Sequence, residues 1–183
     1  MKRLVILLPF ALILGLVAAP SALAASPHFK KNGTPVCTVT GSGTSQSVSC
    51  TGTLTGLGNE DLLIETTVSG FAVYQCQNRG GTIAPGQNKV LEGPVTEPTV
   101  VPAGEIKNGN VTFRAGATLT ADPTVSAAVA GCPNDNWVGI NPTLTITSIM
   151  LEISQGDTFI YCGAVSDPAG LTGTVRFPAR SNC

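Results

Sequence analysis

The stretch CTVTGSGTSQSVSC, residues 37–50, reads as a single β-hairpin. Side chains alternate sides along a strand, so Cys37 and Val39 share a face, as do Val48 and Cys50. Folding the segment at Gly43-Thr44 sets Val39 opposite Val48 and Cys37 opposite Cys50. One register therefore satisfies both the apolar pair and a disulfide. Closing so short a loop contributes roughly 3 kcal/mol on the chain-entropy argument.

Beyond this hairpin, period-two alternation recurs between Gly, Pro and Asn punctuation. Asp61 to Cys76 is extended, with Leu62, Ile64, Thr66 and Val68 on one face and a bulge or bend expected at Gly70. Gln77 to Asn88, rich in Gly and Pro, reads as loop. Val95 to Val101 is an edge strand at best, because Pro94, Pro98 and Pro102 deny it a full ladder. Asn108-Gly109 is a type I′ turn signal, since both central residues need positive φ. Val111, Phe113, Ala115, Ala117 and Leu119 then alternate onto one face. Thr120 to Pro142 reads as a second long loop, within which Thr124 to Ala130 is the best helical candidate. Thr143 to Ser154 is strongly strand-like, and Gln155-Gly156-Asp157 turns it into Thr158 to Gly163. Leu171 to Phe177 is the last strand. Seven to nine short strands predict an all-β protein: a disulfide-bridged antiparallel β-sandwich, immunoglobulin-like in architecture.

The six cysteines (Cys37, Cys50, Cys76, Cys132, Cys162 and Cys183) all follow an apolar leader. In that leader Lys2 and Arg3 precede the uncharged run Leu4 to Ala18, Pro20 breaks it, and Ala22-Leu23-Ala24 has the small residues of a cleavage site. Residues 1–25 are expected to be a cleaved signal peptide, leaving 26–183 as one secreted domain. An even cysteine count in an exported chain points to three disulfides. The sequential pattern Cys37–Cys50, Cys76–Cys132, Cys162–Cys183 is favoured among fifteen possible, and only the first pair has a geometric argument behind it.

The full chain carries ten basic residues against eleven acidic ones. Loss of Lys2 and Arg3 with the leader would leave eight against eleven, a net charge near −3. These charges are scattered, with no basic stripe for a phosphate backbone and no cationic amphipathic helix, so nucleic acid is excluded, and so is a membrane after leader cleavage. Threonine, with twenty-two copies, carries much of the polar role and suits a half-solvated pleated surface.

Catalytic signatures are sparse. His28 is the only histidine, on a segment expected to be loose, and no G-x-S-x-G elbow occurs. Eleven acids guarantee some carboxylate pair, so Glu60, Asp61, Glu65, Glu92, Glu97 and Glu152 carry no glycosidase argument on their own. No CxxC or Cys/His cluster points to zinc, and nothing calls for a cofactor. The weak candidate binding loop is Asn134, Asp135, Asn136 and Trp137, in GCPNDNW (131–137). Its side chains suit Ca²⁺ ligation or an aromatic anchor, but a tight Asx turn with Trp137 covering the core explains them more simply. Gly80-Gly81 lacks the helix and Lys-Ser/Thr pair of a phosphate loop.

CTVTGSGTSQSVSCTGTLTGLG (37–58), CQNRGGTIAPGQN (76–88), EIKNGNVTF (105–113) and GCPNDNW (131–137) together resemble small exported β-rich proteins of the actinobacterial type, a group with no assigned activity. The resemblance covers Cys37 to Ile153. It implies a secreted β-rich domain, supports the Cys76–Cys132 pairing and brings no catalytic residue. The expected role is non-catalytic: a monomeric extracellular module that binds a protein or an envelope polymer, or serves structurally, through loops at the ends of the sandwich. A secreted protease inhibitor presenting loop 77–88 or 120–142, and then a two-carboxylate hydrolase, are the alternatives.

Overall fold

A computed structural model describes residues 26–183 as two antiparallel five-stranded sheets. The leader expected over residues 1–25 lies outside the described residues. The first sheet contains β1 (His28–Phe29), β2 (Val36–Ser42), β3 (Ser45–Thr55), β6 (Val111–Thr120) and β10 (Gly173–Arg176). The second contains β4 (Leu62–Asn78), β5 (Ile83–Val101), β7 (Thr124–Ser126), β8 (Trp137–Gln155) and β9 (Thr158–Ser166). Three disulfides join Cys37 to Cys50, Cys76 to Cys132 and Cys162 to Cys183.

The first hairpin has the register its cysteines and valines demand, with Cys37 opposite Cys50 and Val39 opposite Val48. Its turn falls at Gly43-Thr44, and Gly43 has φ 71°, the positive value required at the first central position of a type II′ turn. The inner face of β4, from Leu62 through Tyr74 to Cys76, meets Leu54, Phe113 and Leu119 of the other sheet in one core cluster. In β8 the buried residues change parity, from Leu144 and Ile146 to Ile149, Leu151 and Ile153. One extra residue, Thr147, lies between the partners of Ser69 and Gly70, so a bulge returns both halves of the strand to the core. The irregularity expected at Gly70 is therefore present, with its extra residues on the partner strands. Gly70 itself is required there because a Cβ would collide with the carbonyl oxygen of Thr145.

Two expected loops are mostly strand. Within Gln77 to Asn88 only the turn after Asn78 is loop, because β5 begins at Ile83 and pairs Ile83 with Gln77. Gly80-Gly81 and Pro85-Gly86 make this segment look broken, yet β5 is the sheet edge, where only one side of the backbone needs partners. Bulges absorb the surplus, with Gly86–Asn88 opposite Tyr74 and Gly93-Pro94 opposite Ser69. Within Thr120 to Pro142, β7 pairs with β8, a four-residue helix α1 (Ala127–Ala130) follows, and β8 already starts at Trp137. Ser126 caps α1 by accepting the Val129 N–H, and Gly131 closes it in the left-handed region at φ 70°. His28 is not on a loose segment either, since β1 pairs with Leu54 and Thr55. None of the three bridges joins a strand of one sheet to a strand of the other, so the inter-sheet disulfide of immunoglobulin domains has no counterpart among the described residues.

The free edges are occupied locally. Between β7 and β9 the edge of β8 lacks a strand partner over residues 141–147, and the first hairpin fills part of that gap. Leu144 N–H donates to the Gly43 carbonyl at 2.8 Å, and Ile146 N–H donates to Gln46 Oε1 at 3.2 Å. Asp167 and Leu171 N–H donate to the Thr147 and Ile146 carbonyls. The edge of β9 is covered by the C-terminal tail. Asn182 receives the Ala164 N–H at 2.7 Å and returns its amide N–H to the Ala164 carbonyl at 2.9 Å. Its backbone N–H also donates to the Cys162 carbonyl, and Ser181 Oγ accepts from Cys162 N–H.

Candidate functional site

At one end of the second sheet, the last residues of β4 pair with the first of β8: Cys76 with Gly139, Gln77 with Val138 and Asn78 with Trp137. Two short turns flank this junction. In the β4–β5 turn, Asn78 Oδ1 accepts the N–H groups of Gly80 and Thr82, both at 2.9 Å, and Gly81 N–H donates to the Asn78 carbonyl. In the turn before β8, Asn134 Oδ1 accepts the Asn136 N–H at 3.0 Å and the Asn134 carbonyl accepts the Trp137 N–H at 3.1 Å. Each turn is thus closed by its own Asx residue. The Cys76–Cys132 bridge, spanning 5.6 Å between Cα atoms, fastens the second turn beside the first.

The result is a groove of about 290 Å³ lined by Gln77, Asn78, Arg79, Asp135, Asn136, Trp137 and Val138. Trp137 is half-buried, whereas Arg79 and Asp135 are exposed. Of the four residues of the candidate loop, Asp135, Asn136 and Trp137 line this groove, while Asn134 is occupied in holding the turn. That occupation speaks against Asn134 as a calcium ligand. The Gly80 and Gly81 amides are likewise already bonded to Asn78, which removes them as an anion cradle. Arg79, within the segment expected to be loop, lines the same groove as the loop of Trp137. Along β4, Val73, Gln75 and Gln77 alternate onto the outer face, and a second depression of about 470 Å³ follows the first. Its walls include Val73, Gln75, Ile83, Pro85, Asn141 and Thr143. Here Asn141 Nδ2 donates to Gln75 Oε1 at 3.0 Å, and Asn141 has φ 49°, a left-handed value that asparagine tolerates better than most residues.

The titratable groups with displaced pKa values lie elsewhere. The Tyr74 hydroxyl donates to the Asp122 carbonyl at 2.9 Å and approaches Glu92 Oε1 at 3.4 Å. Burial, with the Glu92 charge adding, pushes it up to about 12. Burial also holds the Glu92 carboxyl above its ordinary range, with Asp122 adding and the Tyr74 hydrogen bond opposing. Burial pushes Tyr161 up to about 12, and its hydroxyl donates to the Pro178 carbonyl at 2.8 Å. His28 and Tyr161 line a separate depression of about 250 Å³ with Arg180. Glu65 and Glu152 face one another across β4 and β8 on the open outer face of the sheet.

No family model matches the chain, and no curated protein matches it. Sequence reasoning missed Gln77, Asn78 and the Tyr74–Glu92–Asp122 cluster. The Cys76–Cys132 pairing was the signal for the first two, because a bridge between those cysteines draws 77–79 and 133–138 together. Nothing in the sequence marks the cluster, which depends on a bulged β5 returning Glu92 beside Tyr74.

Proposed function

We propose that this chain is an exported, non-catalytic binding module that takes an extracellular protein or an envelope polymer in the groove between Arg79 and Trp137. The observation that carries the reading is that groove, built from two turns that a disulfide fastens together. A bridged, preorganised surface loses little entropy when it binds, and a tryptophan beside charged and amide groups is the composition of an interaction anchor. Three disulfides favour an oxidising compartment, the sequence leader favours export, and no helix among the described residues is long and apolar enough to cross a membrane. The resemblance to small exported actinobacterial-type proteins points the same way. The inhibitor alternative is disfavoured because both segments expected to present a free substrate-like loop are held in the second sheet, 83–88 within β5 and 124–142 by β7, α1 and β8.

The test is sedimentation of the oxidised chain with envelope material from its own culture. Saturable retention, weakened in a Cys76→Ala/Cys132→Ala variant that still folds, supports the reading. Absence of retention, together with no specific partner recovered from the medium, overturns it.

A further inference from the structure

The groove is one end of a longer track. Gln77, Gln75 and Val73 succeed one another on the outer face of β4, from the groove beside Trp137 to the depression beside Asn141. Four residues of extended strand cover about 13 Å. The linings carry one cation, Arg79, and one anion, Asp135, and the exposed Lys89 lies beside Val73 over the Phe71 ring, so the track offers only a slight positive charge to a polyanion. Its other polar groups are mostly primary amides, with the Thr143 hydroxyl beside them, and each amide has both donors and an acceptor. The Asn141–Gln75 bond uses half of each amide and leaves a donor on Gln75 and an acceptor on Asn141.

From this we infer that the track binds a neutral polysaccharide chain, an inference that rests on the binding reading above and names its ligand class. A sugar chain is uncharged, elongated and dense in adjacent hydroxyl groups that donate and accept at once. Planar amides, a guanidinium and a carboxylate hydrogen-bond such hydroxyl pairs two at a time. The face of a sugar ring presents C–H groups, weakly positive, which suit the negative face of the Trp137 indole. A purely apolar ligand would strip water from Arg79 and Asp135 without replacing it. A nucleic acid would meet only two cations, Arg79 and Lys89, at opposite ends of the track.

Trp137 is the only tryptophan of the chain, so its fluorescence reports on this groove alone. The experiment titrates the oxidised chain with soluble neutral oligosaccharides of the cellulose, chitin, starch and mannan types, following fluorescence and heat. The expected result is a saturable change with at least one of them. Trp137→Ala and Gln75→Ala should each weaken the affinity read from the heat at least about tenfold, the equivalent of 1.4 kcal/mol, in chains whose folded β spectrum is retained. Arg79→Ala should weaken it too, and added salt should not. No saturable response to any of these sugars overturns the polysaccharide inference, as does binding that survives Trp137→Ala and Gln75→Ala. Envelope sedimentation separates the two levels. Retention lost in Trp137→Ala but not competed by any sugar leaves the groove as a site for a protein partner, whereas no retention removes the binding reading as well.

Discussion

Thr66, the fifth residue of β4, has no exposure, and its hydroxyl has no hydrogen-bond partner. An unpaired buried hydroxyl carries its desolvation penalty in the folded state alone. Thr66→Val, which keeps the branched shape, is therefore expected to stabilise the protein by about 1 kcal/mol in urea unfolding. The two tyrosines give a prediction in pH. Both phenols are raised to about 12 in the folded chain, against about 10 when unfolded. The folded state keeps protons that the unfolded state releases, so stability falls as pH rises from about 10 to about 12. Ultraviolet titration should show little phenolate near pH 10 and then a steep rise as the chain unfolds. Independent ionisation of both groups near their ordinary value, with the fold intact, would contradict the burial described here. Glu92 has the same sign at lower pH: the folded state holds its proton more tightly, so its contribution weakens as pH rises through the carboxylate range.

Among the elements, the closure of exposed strand edges governs stability and solubility. Ile146 is fully buried, and its N–H depends on the Gln46 side chain from the opposite sheet. Gln46→Leu should orphan that amide and cost about 1–3 kcal/mol, readable as a lowered denaturation midpoint. On β9 the tail residues Ser181 and Asn182 substitute for a neighbouring strand, and Cys162–Cys183 keeps them in place. Cys162→Ser/Cys183→Ser should loosen this cover and expose a pairing edge, giving concentration-dependent self-association in sedimentation velocity. A monomer at all concentrations would show that the edge needs no tail. The hairpin at residues 37–50 was legible because two local constraints agreed on one register. Val95 to Val101 was legible as an edge strand, but the first part of β5 was not, because its glycines, proline and bulges suit an edge, and edge status depends on which strands lie beside it. The short β7 escaped for a related reason, since it is held by pairing with β8 and little by its own periodicity, whereas α1 falls inside Thr124 to Ala130, the expected helical candidate.

Across the whole molecule the two outer faces differ. The first sheet presents hydroxyls, with Ser47 bonded to Thr118 and Thr53 to Thr112 across β3 and β6. The second exposes Leu91, Val100 and Phe159, and it carries the groove and its track. Half of the candidate site was readable in advance, as the loop 134–137. Its other half, Gln77 to Arg79, could be joined to it only through Cys76–Cys132. That bridge spans 56 residues, and on the chain-entropy argument its removal costs roughly 4 kcal/mol. Cys76→Ala/Cys132→Ala should thus lose more stability than Cys37→Ala/Cys50→Ala, whose loop is 13 residues.

The most direct test of a binding groove at this end of the molecule is acrylamide quenching of Trp137, with and without saturating envelope material. The account predicts that bound material shields the indole and lowers the quenching, with no change in the fold. Material that is retained while quenching stays unchanged would place the binding surface elsewhere and contradict it.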